Sequence, residues 1–196
     1  PVADALLDAL GADFTIFCPA FPANHRSLFL GHLFVGQVLL SDSGMRHHPL
    51  TPMTDSNLVA VLAKQTKHKV GLVPFAEVEA GADRVRSAIT ALRRSAVRHA
   101  IVDAVSDKHL MTIGEAVSDL ALVTGGSGVA MGLPENFRRQ GLAPRRAAGS
   151  DLPPGRGHAA VLAGSCSTAT LGQIEAMRAT HPALPIDVLE IAAGRD

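Results

Sequence analysis

The stretch "KVGLVPFAEVEAGADRVRSAITALRRSAVRHAIVDAV", residues 69–105, decides the fold. It opens with the short β-branched run "KVGLV" and closes with a second one, "AIVDAV", and both are typical of buried strands. Between them lies a long amphipathic helix, "ADRVRSAITALRRSAVRH", whose arginines face solvent and whose inward face consists of Val85, Ile89, Leu92 and Val97. A strand, a helix and a strand in this order predict a βαβ unit with parallel strands.

The same alternation continues on both sides of this stretch. Before it, the sequence predicts a helix "VADALLDALG", a strand "DFTIFC", a bent strand or hairpin "SLFLGHLFVGQVLL", and a helix that begins at Thr54 or Asp55. After it come a helix "DKHLMTIGEAVSD", a strand "LALVT", and a helix "VAMGLPENFRRQG" that Pro134 bends or restarts. The predicted fold class is therefore α/β, with a mostly parallel sheet and flanking helices. The loops after its strands meet at one edge, where open α/β sheets bind ligands.

Residues 141–158, "GLAPRRAAGSDLPPGRGH", are rich in Pro, Gly and Arg and show no periodicity. This composition predicts a linker between two domains, with a long loop as the alternative. Beyond it, residues 159–196 predict a strand "AAVLAG", a helix "TATLGQIEAMRATH" and a strand "PIDVLEI". They form the first βαβ unit of a second α/β domain, and a unit of this size buries too little surface to be stable alone. The first domain is expected at residues 1–140.

Composition excludes several classes of function. The chain is 47% hydrophobic and 18% charged, which is typical of a globular protein. Its 18 Lys and Arg balance 18 Asp and Glu, so neither nucleic acid nor an anionic membrane surface is an expected partner. No apolar run is long enough to span a membrane, and no signal peptide opens the sequence. Cys18 and Cys166 lie in unlike contexts and are expected to be reduced thiols, which fits a cytoplasmic protein.

The loop "SDSGMRHHPLTPMTDSN", residues 41–57, is the most unusual segment of the chain. Its candidate ligand-binding residues are Arg46, His47, His48 and Asp55. The arginine can form a bidentate pair with a carboxylate, the imidazoles can donate to hydroxyls or oxyanions, and the aspartate can orient sugar hydroxyls. A zinc site that includes His32 is a weaker alternative, because adjacent histidines point apart and no regular ligand spacing occurs. A purely structural role, in which the histidines fix a proline-stiffened loop, stays open.

Two glycine- or serine-rich turns follow predicted strands and precede predicted helices. The turn "LVTGGSGVA" contains Gly125, Gly126, Ser127 and Gly128, and the turn "LAGSCSTAT" contains Ser165, Ser167 and Thr168. Free N–H groups and the dipole of the following helix favour an anion at such a position. The first turn lacks the lysine of a P-loop and the full spacing of a dinucleotide fingerprint, so a tight strand–helix turn is its structural alternative. An N-cap cluster is the structural alternative for the second turn. The segment "CPAFPANHR", residues 18–26, is expected at the same sheet edge, either as a ligand contact or as an ordered surface loop.

Three segments together resemble the four-carbon acid sugar kinases, in particular those that act on 3-oxo-tetronate. They are "CPAFPANHR…GHLFVGQVLLSDSGMRHHPLTPMTDSNLV", "VTGGSGVAMGLPENFR" and "LAGSCSTATLGQI", and the run "GMRHHPLTPMTDSN" is the most specific. The resemblance implies an N-terminal domain that binds the acid sugar and a C-terminal domain that binds ATP. The implied reaction transfers the γ-phosphoryl group of ATP to the C4 hydroxyl of 3-oxo-tetronate and gives the 4-phosphate.

The resemblance also implies roles for the motifs. The 41–57 loop and "GGSG" match the acid-sugar side, and "GSCS" matches the nucleotide side, with ATP and Mg²⁺ as cofactors. The implied partners are the acid sugar and ATP, with a homodimer as an open option. No catalytic base is assigned; Asp55 and Asp103 are candidates, and Asp103 is also placed to hold a cation.

Two segments of the family pattern do not occur in this sequence, an Asp-rich "ADDFTGA"-type segment and the later glycine-rich nucleotide-binding segments. The sequence starts at Pro1 and stops just after a predicted strand. We therefore expect an internal piece of a longer kinase, without a complete active site of its own. A non-catalytic acid-sugar-binding module, or an inactive piece of such a kinase, is the alternative.

Overall fold

The structure is a computed structural model that describes residues 1–48, 50–143 and 155–194. The chain divides into two compact units, residues 1–147 and residues 148–196. The helices of the first unit are α1 (Val2–Ala9), α2 (Leu58–Ala63), α3 (Phe75–Glu79), α4 (Ala82–Arg94), α5 (Asp107–Ala116) and α6 (Pro134–Arg139). Its strands are β1 (Thr15–Cys18), β2 (Arg26–Phe29), β3 (His32–Val35), β4 (Val38–Leu39), β5 (Lys69–Val73), β6 (Val97–Val102) and β7 (Val123–Gly125).

The larger sheet of the first unit is parallel throughout, with the strand order β5-β6-β1-β7. The connection from β1 to β5 runs in one direction along the sheet, and those from β5 to β6 and from β6 to β7 run in the other. Because parallel crossovers are right-handed, α2 lies on one face and α4 and α5 on the opposite face. The two latter helices pack against each other there. This architecture confirms the predicted α/β class.

The core lies between the sheet and these helices. Strand β6 is buried at every position except Arg98, as expected for a central strand covered on both faces. Fully buried side chains include Leu7, Phe14, Ile16, Leu28, Val73, Val85, Leu110 and Ile113. Each contributes about 1.5–3 kcal/mol when it leaves water. These buried side chains therefore stabilise the sheet, whose carboxyl edge carries the candidate site.

A smaller antiparallel sheet, β2-β3-β4, follows β1 directly. Its first turn consists of Leu30 and Gly31, whose φ angles are +49° and +74°. Two positive φ angles are typical of the tight turns whose twist matches a hairpin. Backbone hydrogen bonds between Leu28 and Ala104 attach this sheet to the end of β6. The hairpin expected from the glycine-broken apolar run is thereby confirmed.

Two predicted boundaries are wrong. The helix that was expected to include Val97 ends at Arg94, because Ala96 turns to φ +58° and Val97 then pairs with β5. Helix α2 begins after Asn57, whose side chain accepts a hydrogen bond from the N–H of Ala60, and not after Thr54 or Asp55. The predicted restart at a proline is correct, since Pro134 is the first residue of α6.

The second unit contains α7 (Thr168–Arg178) and α8 (Val188–Ala192). Helix α7 is the predicted helix of the βαβ unit, but neither predicted strand is present among residues 155–194. Residues 159–164 have no partner strand in the described part of the unit, and a strand exists only through hydrogen bonds to a neighbour. Most of the second predicted strand belongs to α8 instead, because the carboxylate of Asp187 accepts hydrogen bonds from the first N–H groups of that helix.

Most of the predicted linker, residues 144–154, lies outside the described residues. The assignment of residues 1–140 and 159–196 to two functional domains stays a prediction. Within the described ranges, no helix is both long enough and apolar enough to cross a membrane. Both cysteines carry free thiols, Cys18 buried and Cys166 exposed.

Candidate functional site

The carboxyl edge of the parallel sheet carries most of the predicted ligand-binding segments of the first unit. Residues 19–26 follow β1, Phe75 follows β5, Asp103 follows β6, and residues 125–128 end β7. The β2-β3 hairpin lies over this edge, since it bonds to Ala104 just after β6. The sequence prediction that the strand-end loops meet at one edge is consistent with this arrangement.

The Asp103 carboxylate is buried at this edge and binds three backbone N–H groups. One oxygen, Oδ2, accepts from Leu30 N at 2.7 Å and from Phe75 N at 2.9 Å, and the other, Oδ1, accepts from Gly31 N at 2.9 Å. Burial raises the pKa of Asp103 above its ordinary value, although these three hydrogen bonds act to lower it. Both oxygens therefore already have donors, which favours a structural role over that of a general base or a cation ligand.

The histidine-rich loop is built around a short 3₁₀ helix, Gly44–His47, capped by Ser43. The guanidinium of Arg46 donates to the carbonyl of Ser41 at 3.1 Å, and the rest of this side chain is exposed. His47 is also exposed. The Nδ1 atom of His48 accepts from the N–H of Thr51 at 3.1 Å. His48 thus stabilises the loop, whereas Arg46 and His47 present their polar groups to solvent, where a ligand can reach them.

Asp55 lies at the other end of the loop, and its carboxylate is ionised. Its carboxylate accepts from the N–H of Asn57 at 3.0 Å and from the Lys64 ammonium at 3.3 Å. The first of these bonds, then the lysine, lowers the pKa of Asp55. A carboxylate of this kind is a good acceptor for hydroxyl groups and a weak base at neutral pH.

The zinc alternative receives no support in the described part of the chain, where no group of three or more His, Cys, Asp or Glu side chains is placed to hold a metal ion. The Nδ1 atom of His32, which that alternative required, lies 2.8 Å from the carbonyl oxygen of Leu30.

Both ends of the loop are fastened to the hairpin. The hydroxyl of buried Ser56 accepts from Ser41 N at 2.8 Å, so it joins the two ends of the loop. The carbonyl of Ser56 accepts from Leu33 N at 3.0 Å, and the carbonyl of Gly31 accepts from Leu58 N at 2.8 Å. The sequence analysis did not assign this role to Ser56. In the sequence, Ser56 is only a serine next to the predicted helix cap. Its structural role could not be predicted from this, because its hydrogen-bond partners lie 15 or more residues away.

The "GGSG" turn packs against the segment that follows β1. A Cβ added to Gly125 or Gly128 would come well inside 3.0 Å of the carbonyl oxygens of Cys18 and Ala20. One added to Gly126 would lie 3.3 Å from the carbonyl oxygen of Pro19. None of these glycines has a positive φ angle, so close approach of two backbones, and not a left-handed conformation, is the reason for glycine here.

The structure thus brings together two predicted pieces, "CPAFPANHR" and "GGSG". Ser127 is exposed, and the residues after it form a short 3₁₀ helix, Ser127–Gly132, in place of the expected α-helix. A helix dipole therefore gives no reason for an anion at this turn. Any ligand contact here involves the exposed Ser127, because the N–H of Gly126 already donates to the carbonyl of Cys18 and Gly128 is buried. In the neighbouring segment, Asn24 and His25 are exposed.

The second unit places the "GSCS" serines at the start of α7, an α-helix of 11 residues. The Ser165 hydroxyl accepts from Ser167 N at 3.2 Å, and the Ser167 hydroxyl caps the helix by accepting from Thr170 N at 3.2 Å. Thr168 is the first residue of the helix, and its side chain lies outside what the structure describes. The N-cap alternative is therefore realised by Ser167, and a nucleotide-binding role for Ser165, Ser167 and Thr168 stays a prediction.

A buried pair that the sequence analysis missed lies on the α1 face of the sheet. The Nε2 atom of fully buried His99 lies 2.6 Å from Oδ1 of Asp4, which also accepts from the Thr66 hydroxyl. Nδ1 of His99 has no partner in the described part of the protein. Burial lowers the pKa of His99 more than Asp4 raises it, and His68 and Arg98 lower it further. His99 is therefore neutral and donates its Nε2 proton to the carboxylate.

Comparison with known proteins identifies the family. Residues 1–133 match the family described as "Sugar-binding N-terminal domain". A protein of Cupriavidus necator named 3-oxo-tetronate kinase is 57% identical over 195 residues, which cover 99% of this chain and 45% of the relative. The chain thus spans less than half the length of this curated relative.

Solved structures agree with the sequence relatives. The crystal structure of a Haemophilus influenzae protein, 45% identical, matches 97% of this chain and 45% of its own with a TM-score of 0.72. A domain of unknown function from Bordetella bronchiseptica, crystallised with bound citrate as a domain-swapped dimer, is 25% identical over 68% of this chain, with a TM-score of 0.56. These matches confirm the family resemblance of the motifs, and the chain belongs to the family defined by the sugar-binding N-terminal domain.

Proposed function

We propose that this chain supplies the acid-sugar-binding part of an ATP-dependent kinase. The enzyme transfers the γ-phosphoryl group of ATP to the C4 hydroxyl of 3-oxo-tetronate and releases 3-oxo-tetronate 4-phosphate. The observation that carries the proposal is the 57% identity to a 3-oxo-tetronate kinase along 99% of the chain, together with the sugar-binding match over residues 1–133. The citrate bound to the Bordetella bronchiseptica relative supports a ligand that carries carboxylate and hydroxyl groups.

The exposed polar groups of the 41–57 loop suit such a ligand. Arg46 has guanidinium N–H groups left over for the carboxylate of the acid sugar, and His47 can assist it. Asp55 accepts hydrogen bonds from sugar hydroxyls, and His48 keeps the loop in shape. At the sheet edge, the exposed Ser127 offers a further hydroxyl group, and Gly125, Gly126 and Gly128 form the close-packed turn that carries it. Substrate binding and orientation, rather than covalent chemistry, are the tasks that phosphoryl transfer requires of these residues.

ATP and Mg²⁺ fit this chain to different degrees. The N-terminus of α7 combines a helix dipole with the hydroxyls of Ser165 and Ser167, which suits a phosphate group of ATP. In the described ranges no group of three or more His, Cys, Asp or Glu side chains is placed to hold a metal ion, so these residues form no multi-ligand Mg²⁺ site of their own. Mg²⁺ supplies charge neutralisation on the ATP phosphates when it is bound to them. A cytoplasmic location, where ATP is available and thiols stay reduced, belongs to the same proposal.

The test is a coupled ADP-release assay with 3-oxo-tetronate and other four-carbon acid sugars, on the polypeptide produced from the natural gene. Arg46→Ala is expected to raise the KM for the acid sugar about ten-fold or more, because a charged hydrogen bond contributes about 1.5–3 kcal/mol. The KM for ATP should stay unchanged. Arg94→Ala is the matched control, since it removes an exposed arginine at the end of α4. Absence of acid-sugar-dependent ADP release, or an equal effect of both variants, would overturn the proposal.

Binding without catalysis is a second candidate for the 196-residue chain itself. It is favoured by the match to a sugar-binding domain and by the 45% share of the relative's length that the chain spans. Isothermal titration of the chain with 2,3,4-trihydroxybutanoate tests it directly. Binding of this acid without ADP release would support the second candidate, and absence of binding would exclude it.

A further inference from the structure

We propose that Asp103 is the positioning residue of the acid-sugar loop, residues 41–57. The inference rests on the proposed function, because it takes this loop to bind the acid sugar. Asp103 is inferred to hold the loop in place without contacting the sugar. It replaces the base or cation-binding role that the sequence suggested for this residue.

The first step is the fixation of the hairpin turn. The Asp103 carboxylate accepts from Leu30 N at 2.7 Å and from Gly31 N at 2.9 Å. These two residues have positive φ angles, so their N–H groups point in nearly the same direction and converge on one acceptor group. Leu30 has a large side chain, and residues with large side chains rarely adopt a positive φ angle. A buried carboxylate with two charge-assisted hydrogen bonds compensates for this backbone strain.

The second step leads from the turn to the loop. Gly31 donates its N–H to Asp103 and accepts at its carbonyl from Leu58 N, 2.8 Å away, at the end of the loop. Two residues further along β3, Leu33 donates to the carbonyl of Ser56 at 3.0 Å. Ser56 in turn holds the beginning of the loop through Ser41. The hydrogen bonds therefore run without a gap from the carboxylate to both ends of the loop.

The third step concerns the exposed side chains of the loop. Among the described residues, the Arg46 side chain bonds only to Ser41, within the loop, and the carboxylate of Asp55 bonds to Asn57 and Lys64. The position of Arg46 relative to the sheet thus depends on where the hairpin holds the loop, whereas Asp55 is also held by Lys64 at the end of α2. Displacement of a ligand-orienting group by about 1 Å is enough to weaken binding or catalysis strongly.

A carboxylate is needed because the three N–H donors require both oxygens. Asparagine has nearly the same shape but only one acceptor oxygen, and its NH₂ group would face an N–H donor. Asp103→Asn therefore releases part of the turn without opening a cavity. Gly31→Ala strains the same turn from the other side, because Gly31 has a φ angle of +74° and an added Cβ would lie 3.3 Å from Cγ2 of Val59.

The experiment uses the 196-residue chain and 2,3,4-trihydroxybutanoate as the probe. Asp103→Asn and Gly31→Ala are each expected to lower the affinity for this acid about ten-fold, the loss of roughly one charged hydrogen bond. The double variant should be no worse than the single ones, because both changes break the same connection. Val85→Ala is the control: it truncates a fully buried core side chain of α4, lowers the melting temperature, and should leave the affinity unchanged.

Amide hydrogen exchange without any ligand provides the independent readout. Asp103→Asn should raise the exchange of residues 41–57 well above the level in Val85→Ala at equal distance below the melting temperature. Equal exchange in the two variants, or additive losses of affinity in the double variant, would overturn the positioning role. If the unmodified chain fails to bind the acid, the proposed function fails, and the exchange experiment still decides the role of Asp103.

Discussion

The contact between α5 and the 3₁₀ helix Ser127–Gly132 permits a sharp test, the variant Gly114→Ala. Gly114 lies within α5, and a Cβ added there would come well inside 3.0 Å of the backbone of Gly132. The reverse also holds, because a Cβ on Gly132 would approach the carbonyl oxygen of Leu110 equally closely. Backbone atoms cannot rotate aside as a flexible side chain can. The added methyl group must therefore push the two elements apart.

The magnitude follows from two opposing effects. Overpacking a core costs about 1–3 kcal/mol, and a rigid backbone neighbour sets the upper end of about 3 kcal/mol. Alanine gains about 1 kcal/mol over glycine as a helix former. The expected net loss is about 2 kcal/mol of unfolding free energy. For a chain of this size, this corresponds to a fall of about 4–8 °C in melting temperature.

Gly172→Ala is the matched control, since Gly172 lies within α7 and no atom lies within 4 Å of its added Cβ. It should keep the full gain in helix propensity, up to about 1 kcal/mol for that helix. Both variants are compared by circular dichroism during thermal and guanidinium unfolding. The close packing of α5 described here is refuted if Gly114→Ala melts at or above the temperature of the unmodified chain.

Two further predictions concern buried titratable groups. Because the folded-state pKa of His99 lies below its ordinary value of about 6.5, the stability contributed by the neutral ring is complete above that pH and is lost as the pH falls toward the lowered pKa. His99→Gln should therefore reduce the loss of unfolding free energy between about pH 7 and pH 5. The control His25→Gln, at an exposed position, should leave this loss unchanged. An equal dependence of the unfolding free energy on pH in all three proteins would contradict a buried, neutral His99. Burial raises the pKa of Cys18 to about 12, so a thiol reagent at pH 8 should modify exposed Cys166 and reach Cys18 only after denaturant is added. Two equivalents modified in the native protein would show that the buried position of Cys18 is wrong.

Much of the fold was open to sequence reasoning because its signals are local. The strand β5, the helix α4 and the strand β6 each show their own period of apolar residues, and their order implies the parallel sheet. One error occurred where a strand that is distant in sequence determines the structure. Val97 continues the apolar face of a helix in sequence, but a left-handed Ala96 and pairing with β5 place it in a strand.

For the candidate site, the sequence motifs were enough to identify the family, and the binding roles of their residues stay predictions. The run of Arg46, His47 and His48, the "GGSG" turn and the "GSCS" turn each consist of neighbouring residues. They carry the family resemblance, which the match over residues 1–133 and the 57% identity along 99% of the chain confirm. The structural reason for each of these residues could not be predicted in the same way. The glycines of "GGSG" satisfy a close approach to the strand-end segment 18–21, which no local pattern encodes.

How these residues are held depends on contacts that form only in the folded protein. Asp103 meets the Leu30 N–H across 73 residues of sequence, and His99 meets Asp4 across 95. The residue type in the sequence does not reveal whether a buried carboxylate or imidazole acts on a substrate or supports a turn. Its role follows from the hydrogen-bond donors and acceptors that folding brings to it, because a buried polar group must find its partners inside the protein.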